Sequence, residues 1–330
     1  MKIGVIGAGA WGTALANTAA NAGSDVVLWA RETEVCQSIN EKQENELFLK
    51  GVNLNKNIKA TNDIEEALKT ELVLLVTPAQ FLRVTLEGLK DKWPSNVPAV
   101  ICSKGIEQST GKLLSTVIHE TLPDVKVAVL SGPAFASEVA INLPTAVTVA
   151  CDDDAVLEKI IKATANPAFR PYASHDIVGP QIGGSVKNVL AIASGIIEGK
   201  RLGNNARAAL ITRGLAEMTR LAVTLGGTKE SLTGLSGLGD LTLTASSMQS
   251  RNFSLGAAIG QGEKFSDILA SRRTVSEGVY TASAVKNLSN ELDCDMPICN
   301  AVYDLLHNGT DVEEVVSRLM NRPLKKELEK

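Results

Sequence analysis

Histidine and paired cysteine, the residues that build metal sites and disulfide frameworks, are scarce in this sequence. Its three histidines lie far apart, and none of its five cysteines belongs to a Cys-x-x-Cys pair. Such a distribution is typical of reduced thiols in a cytoplasm, rather than of a zinc site or a disulfide-stabilised secreted domain. We therefore expect a cytoplasmic protein whose chemistry uses no metal.

An excess of one charge and a long hydrophobic run are also lacking. The chain has 33 Lys and Arg against 37 Asp and Glu, a formal net charge of −4, so no general basic field attracts nucleic acid or an anionic membrane. No apolar run approaches the roughly 18 residues that suggest a membrane span, and the first residues enter a strand pattern with no secretory signal ahead of them. Any bound anion would have to be held by local donors.

Short apolar runs alternate with helix-like segments through the first half of the 330 residues. Val, Ile and Leu fill these runs almost continuously, which is typical of parallel strands covered on both faces. Strand–helix alternation of this kind predicts an α/β fold with a doubly wound, Rossmann-type sheet. The predicted strands occupy residues 2–7, 26–30, 72–76, 99–103, 127–131 and 145–150.

Strand-like runs nearly vanish after about residue 179, where a Val-Gly-Pro turn signal occurs. Long helical patterns then cover residues 180–199, 205–226, 278–291 and 297–307. We therefore predict a dinucleotide-binding domain over residues 1–179 and a mainly α-helical domain, which supplies substrate-binding and catalytic residues, over residues 180–330.

The segment GAGAWG, residues 7–12, has the G-x-G-x-x-G spacing of dinucleotide-binding turns. The spacing alone is a weak signal, but here it follows a strand directly and opens a helix, which is the context that makes it specific. Gly7 would allow the tight turn, Gly9 the approach of a pyrophosphate, and Gly12 the close packing of helix on strand. The alternative is a glycine turn without a ligand.

Arg31 follows the second predicted strand, where NAD-specific enzymes usually place a carboxylate. An arginine can accommodate the 2′-phosphate of NADP instead, so Arg31 favours NADPH, while the adjacent Glu32 keeps NADH possible. The alternative is an exposed surface arginine.

Lys104 is the charged residue at the carboxyl ends of the predicted strands, between Ser103 and Gly105. Ligands of doubly wound sheets bind in the crevice at these strand ends. Lys104 therefore either contacts a ligand there or is a solvated loop lysine.

Lys187 is isolated among apolar and small residues in the helical pattern of residues 183–199. A buried ammonium is costly unless it is paired or used. We predict that it points into the cleft between the domains; the alternative is a lysine whose charged end reaches solvent at the helix start. The small residues predicted to share its face and leave room for a ligand are Gly183, Gly184, Ala191 and Ser194.

The segment Ser250-Arg251-Asn252 combines a planar, bidentate cation with two neutral donors. This combination suits a phosphate. The alternative is a polar loop that caps a helix, with Ser250 as the N-cap.

Together these segments resemble the bacterial NAD(P)-dependent glycerol-3-phosphate dehydrogenases. The resemblance runs in order along nearly the whole chain, through GAGAWGTALA, SKG, SGPAFA, GGSVKNVLAIASGI, ARAALITRGLAEM, GLSGLGDLTLTASS, SRN and SEGVYTA. It implies reversible reduction of dihydroxyacetone phosphate to sn-glycerol 3-phosphate for phospholipid synthesis, by a homodimer; the expected preference for NADPH over NADH rests on Arg31.

The resemblance also implies roles for individual residues, with Lys187 as the catalytic acid/base. Its pKa would fall through burial and a nearby Lys104 and rise through a nearby Asp240, and the sequence leaves open which effect wins. Substrate-binding roles are implied for Lys104, Gly132, Ala134, Lys187, Asp240, Ser250, Arg251 and Asn252. Cofactor-binding roles are implied for Gly7, Gly9, Ala10, Trp11, Gly12, Arg31, Lys104, Ala136, Arg251, Val275 and Glu277.

Two positions depart from the family pattern. Ala134 stands where a serine is frequent, and Gln181 stands where a glutamate is expected. Two other functions fit the same features: a related two-domain β-hydroxyacid dehydrogenase, which would bind a carboxylate in place of a phosphate, and a dinucleotide-sensing protein without turnover.

Overall fold

The computed structural model describes residues 1–271, 276–324 and 326–327. In the N-terminal half, eight strands of these residues form one sheet in the order β3-β2-β1-β4-β5-β6-β7-β8. The strands from β3 to β6 in that order are parallel. The strands are β1 (Lys2–Ile6), β2 (Asp25–Trp29), β3 (Ile58–Thr61), β4 (Leu72–Leu75), β5 (Ala99–Ile101), β6 (Val127–Ser131), β7 (Thr145–Ala150) and β8 (Phe169–Ser174).

Helices cover both faces of the sheet. Leu72 and Leu74 belong to one buried apolar cluster and Val73 and Leu75 to another, as alternating side chains of a doubly covered strand must. The helices of this half are α1 (Ala10–Asn21), α2 (Thr33–Lys42), α3 (Ile64–Leu68), α4 (Leu82–Glu87), α5 (Leu114–Thr121), α6 (Ala136–Ala140) and α7 (Asp154–Thr164).

The C-terminal half is helical and has its own buried apolar cluster. Its helices are α8 (Val178–Gly199), α9 (Gly203–Thr224), α10 (Lys229–Thr233), α11 (Asp240–Thr244), α12 (Arg251–Gly260), α13 (Phe265–Ser271), α14 (Glu277–Glu291), α15 (Pro297–His307) and α16 (Val312–Met320). The predicted Rossmann-type sheet followed by a helical part is therefore confirmed. Since α8 begins at Val178, the boundary at residue 179 falls in its first turn and stays a prediction.

The central helix α8 packs against α9, α12 and α14. Its contact with α12 brings the two backbones together: a Cβ atom on Gly195 would lie 2.0 Å from the carbonyl oxygen of Phe253, and one on Gly256 would lie 1.9 Å from that of Ile192. Only glycine fits at such a crossing. In the described ranges, no helix is long and apolar enough to cross a membrane.

The sheet differs from the prediction at its edges. β7 pairs antiparallel with β6, and β8 is parallel to β7, so the parallel direction expected from the apolar run at residues 145–150 is wrong for β7. The sequence prediction missed β3 and β8 because both are edge strands with exposed residues, and β8 contains Pro171. Predicted strands 2–7, 26–30, 72–76 and 99–103 run one or two residues too far, because their last residues already belong to the loops at the crevice.

Candidate active site

The glycine turn after β1 has the geometry that its sequence predicts. Gly7 has a φ of +116°, and a Cβ on Gly12 would lie 1.8 Å from the carbonyl oxygen of Gly7. Around Gly9, by contrast, a Cβ would meet nothing within 4 Å. The turn lies between β1 and β4, where the strand order reverses, and α1 begins at Ala10. Open space beside backbone N–H groups at a helix start fits a pyrophosphate.

Trp11 fixes the first turn of α1 to the end of β5, since its Nε1 donates a hydrogen bond to the carbonyl oxygen of Cys102 at 3.1 Å. Arg31 lies at the end of β2 with its side chain 81% exposed, paired with Glu32 at 2.8 Å. Apart from this pair, most of the side chain is open to solvent or to a ligand. Ala136 is the first residue of α6, beside the same crevice edge.

A buried carboxylate holds the two lysines that the sequence singled out. Asp240, with none of its side chain exposed, accepts hydrogen bonds from Lys187 on Oδ1 and from Lys104 on Oδ2, the second at 2.6 Å. Lys187 also donates to Thr244 Oγ1 at 2.8 Å, and Lys104 to the carbonyl oxygen of Gly132 at 2.8 Å. The structure therefore brings Lys104, Gly132, Lys187 and Asp240 together at the meeting point of the two halves.

Burial is the main influence on the pKa of Lys187. Desolvation lowers its pKa from the ordinary 10.5 to about 7; Asp240 opposes the shift and Lys104 adds to it. A pKa near neutrality makes both the ammonium and the amine accessible under ordinary conditions, which is the requirement for a group that gives and takes a proton.

The small residues of α8 mostly serve packing, so the predicted ligand space along that face is wrong in part. A Cβ on Gly183 would lie 2.1 Å from the carbonyl oxygen of Ser236, and Ser194 donates to that of Ala245 at 2.7 Å. Gly184 does face the site, since a Cβ there would lie 3.4 Å from Cγ of Lys104. Lys187 is thus ion-paired inside protein rather than extended to solvent.

The segment Ser250-Arg251-Asn252 forms the start of α12. Ser250 is the N-cap and accepts a hydrogen bond from the N–H of Phe253 at 3.2 Å, so the capping alternative holds for this residue. Asn252 donates to Oδ1 of Asn188 at 3.0 Å and thereby ties α12 to the residue after Lys187. Arg251 is exposed at the helix start. Contact of these three residues with substrate stays a prediction.

Glu277 at the start of α14 reaches the loop that carries Lys104. A Cβ on Gly105 would lie 3.2 Å from its Oε2, an atom that is buried with no hydrogen-bond partner within the described residues. Burial raises the pKa of this carboxyl, and interactions with the Ala79 backbone and with the charge of Arg251 oppose the rise. A buried polar atom without a partner costs free energy unless a ligand or water satisfies it. Predicted Val275 lies outside the described residues.

Polar residues to which the sequence analysis gave no site role also lie here. Thr244 follows Asp240 by four residues, and this helical spacing was the available signal. Thr77 follows β4, and Ser131 is the last residue of β6. Both hydroxyl oxygens are buried and have no hydrogen-bond partner in the described ranges. Gln181 replaces the expected charge with hydrogen bonds, because its Oε1 accepts from the N–H of Ser115 at 3.0 Å. The half-buried Ala134 offers no hydroxyl.

These features together define a class. A dinucleotide crevice at the strand-order reversal, beside a buried lysine whose pKa lies near neutrality, is the site of a two-part NAD(P)-dependent oxidoreductase. The glycine turn and the unpartnered Glu277 oxygen are features of the described chain that fit such a cofactor.

Comparisons with known proteins agree with this class. The family model described as NAD-dependent glycerol-3-phosphate dehydrogenase N-terminus matches residues 2–157, and the corresponding C-terminus model matches residues 176–317. The chain is 55% identical over 326 residues to a glycerol-3-phosphate dehydrogenase (NAD(P)+) of Rhodospirillum rubrum, covering 98% of this chain and 93% of the relative. The crystal structure of glycerol-3-phosphate dehydrogenase from Coxiella burnetii superposes with a TM-score of 0.93 at 37% identity, covering 97% and 99% of the two chains.

The chain belongs to the NAD-dependent glycerol-3-phosphate dehydrogenase family. The resemblance noted in the sequence is thereby confirmed, and the two other functions that the sequence left open have no comparable support.

Proposed function

We propose that the protein reduces dihydroxyacetone phosphate to sn-glycerol 3-phosphate, reversibly, and supplies glycerophospholipid synthesis. One observation carries the proposal: two lysines and a buried aspartate meet where the dinucleotide crevice joins the helical half. The side chain of Lys104 remains 17% exposed, and Lys187 has a pKa of about 7.

The chemistry divides between cofactor and protein. A bound nicotinamide supplies the hydride for the carbonyl carbon. Lys187, as the ammonium, donates the proton to the carbonyl oxygen and stabilises the charge that develops on it, an effect worth roughly 10²–10⁴-fold in rate. Asp240 and Thr244 fix the position of the Lys187 Nζ atom. In the reverse direction the amine takes the proton from the alcohol.

The phosphate of the substrate needs local donors because the chain is net acidic. We propose Lys104 and Arg251 as its cationic partners, with Ser250, Asn252 and the backbone at Gly132 and Ala134 around them. The exposed Arg251 at the start of α12 adds its charge to the helix N-terminus, where anions are stabilised. Arg251 and Glu277 would also contact the cofactor.

Arg31 supports a preference for NADPH. Replacement by aspartate should lower kcat/KM for NADPH and shift the preference toward NADH, since the guanidinium that meets the 2′-phosphate is replaced by a carboxylate. The ratio of kcat/KM for the two cofactors measures the effect. An unchanged ratio would make Arg31 a surface residue.

We propose that the enzyme is a cytoplasmic homodimer. All five cysteines are buried and free, which suits a reducing compartment. The homodimer rests on the family resemblance alone, and light scattering coupled to size-exclusion chromatography tests it.

A substrate panel tests the main proposal. Purified protein is given NADPH with dihydroxyacetone phosphate, dihydroxyacetone or small 3-oxo acids, and oxidation of NADPH is followed. Turnover should be fastest with dihydroxyacetone phosphate. Preference for a 3-oxo acid would favour a β-hydroxyacid dehydrogenase, and binding of NADPH without turnover of any substrate would favour a sensor.

A further inference from the structure

The sheet has a cavity at the amino ends of its strands, away from the dinucleotide crevice. Lys2 and Gly4 of β1 lie on one face of the sheet, because side chains alternate along a strand. α3 packs on this face at Gly4, where a Cβ would lie 2.0 Å from the carbonyl oxygen of Ala67. Since α3 has five residues and rises about 7.5 Å, it does not cover the amino ends, and Lys2, Asp25 and Lys59 stay exposed there.

The cavity is lined mainly by positive charge. Its volume is about 480 Å³, which lies within the range of small-molecule pockets. The charged residues that line it are Lys2, Asp25, Lys56, Lys59, Glu66 and Lys69. Four lysines against two carboxylates leave a formal charge of +2 at this place, although the whole chain carries −4.

Most of these lysines have no counter-ion. Lys59 Nζ lies 3.4 Å from Oε2 of Glu66, whereas Lys2, Lys56 and Lys69 form no ion pair with any residue that the structure describes. Asp25 lies opposite Lys2 in the sheet register and offsets one of these three charges. An excess of two ammonium charges remains, and like charges gathered in one place repel each other unless an anion neutralises them.

We propose that this cavity binds a compact polyphosphate, an anion with two or more linked phosphoryl groups. Several ammonium groups around one cavity can each approach a different phosphoryl oxygen, and each such contact is a charge-assisted hydrogen bond. A monovalent carboxylate would neutralise only half of the excess charge. The lysines converge on a cavity rather than on a flat surface, which favours a free anion over the headgroups of a membrane.

The site is separate from those of the cofactor and the substrate, and the proposal does not depend on the proposed reaction. Lys2 begins β1 and Gly7 follows its last residue, so about 17 Å of extended strand lies between the cavity and the glycine turn. An anion that binds here only in the folded state should also raise the midpoint of thermal unfolding.

Isothermal titration calorimetry with inorganic diphosphate tests the proposal. Every sample contains excess NADPH, so that the dinucleotide crevice is occupied, and no divalent cation. The double variant Lys56→Gln/Lys69→Gln removes two exposed lysines without an ion pair, so its fold should persist. We expect its affinity for diphosphate to be about fivefold lower or more. In the wild type the affinity should fall as NaCl is added, because salt screens exposed charges.

Two controls locate the bound anion. Lys229→Gln/Lys264→Gln makes the same change of charge at two exposed lysines of the helical half and should bind as the wild type does. Arg251→Ala should also keep its affinity for diphosphate; a loss there would place the anion in the substrate site and overturn the proposal. Absence of binding by the wild type, or equal affinity in Lys56→Gln/Lys69→Gln, would overturn it as well. Binding of the wild type to phosphatidylglycerol vesicles but not to free diphosphate would reject a free anion in favour of a lipid surface.

Discussion

Lys187 carries the proposed chemistry at the scale of the single residue. Lys187→Met keeps the length of the side chain without its charge and should lower kcat by at least about 10²-fold, because proton donation is lost. Binding of NADPH should change little, since the glycine turn lies in the other half of the molecule. Fluorescence titration with NADPH and steady-state kinetics measure the two effects.

The matched control is Lys229→Met, since Lys229 is an exposed lysine at the start of α10. It should show wild-type kinetics. If Lys187→Met turned over within a few-fold of the wild type, Lys187 would not be the proton donor.

Arg251 decides between phosphate and carboxylate substrates. A charge-assisted hydrogen bond is worth roughly 1.5–3 kcal/mol net, so Arg251→Ala should lower kcat/KM for dihydroxyacetone phosphate by about 10–100-fold or more. Part of the loss should appear in kcat, because binding energy from the phosphate positions the carbonyl. Activity on dihydroxyacetone should barely change.

Both substrates are measured with wild type and variant as a cycle. Equal losses on the two substrates would assign Arg251 to the cofactor or to structure. The phosphate site would then be sought at Lys104.

The crossing of α8 and α12 controls stability at the scale of the element. Gly256→Ala would place a Cβ 1.9 Å from the carbonyl oxygen of Ile192, so the helices must separate, at a cost of roughly 1–3 kcal/mol for an overpacked contact. Urea unfolding should show a lower midpoint. Gly88→Ala is the control, because its Cβ would meet no atom closer than 3.6 Å and should leave the midpoint nearly unchanged; an equal loss there would remove the packing explanation.

Glu217 gives the contact between α9 and α15 a pH dependence. Burial raises its pKa from 4.5 to about 7, although the N–H groups of Ile298 and Cys299 oppose the shift. The folded state therefore holds the proton more tightly than the unfolded state. The protonated Glu217 carboxyl therefore adds to the free energy of unfolding at low pH, and this contribution is lost as the pH rises from about 4.5 to about 7.

Glu217→Gln resembles the protonated carboxyl and has no charge to bury. The stability of the variant relative to wild type should increase by up to about 3 kcal/mol between pH 5 and pH 8. Urea unfolding of both proteins across this range gives the difference. A constant difference would show that the ionisation of Glu217 is not coupled to folding.

Local sequence patterns predicted the elements whose structure depends on nearby residues. GAGAWG specified its turn because the positive φ of Gly7 and the close approach of Gly12 are local requirements. The reversal of β7 could not be predicted, since a short apolar run has the same appearance in either direction. The pairing of Lys187 with Asp240 also depends on the packing of α8 on α11, which brings distant residues together.

At the scale of the whole molecule, the two halves depend on each other for the site. Lys104 belongs to the sheet half, and Asp240 to the helical half. Their ion pair at 2.6 Å is therefore a contact across the cleft. Without this contact Lys187 would keep Asp240 as its counter-ion, but it would lose Lys104, which connects it with the crevice.

Because β7 is reversed, the number of residues in the first turns of α8 sets the position of Lys187. Because β7 and β8 run against the other strands, the chain leaves β8 away from the crevice, and α8 carries it back until Gly184 reaches Ser131 at the end of β6. Each helical residue advances about 1.5 Å and turns by about 100°. One residue inserted between Val178 and Lys187 would rotate the lysine off Asp240 while leaving every side chain of the cluster present, so the count of residues in this stretch is itself part of the active site.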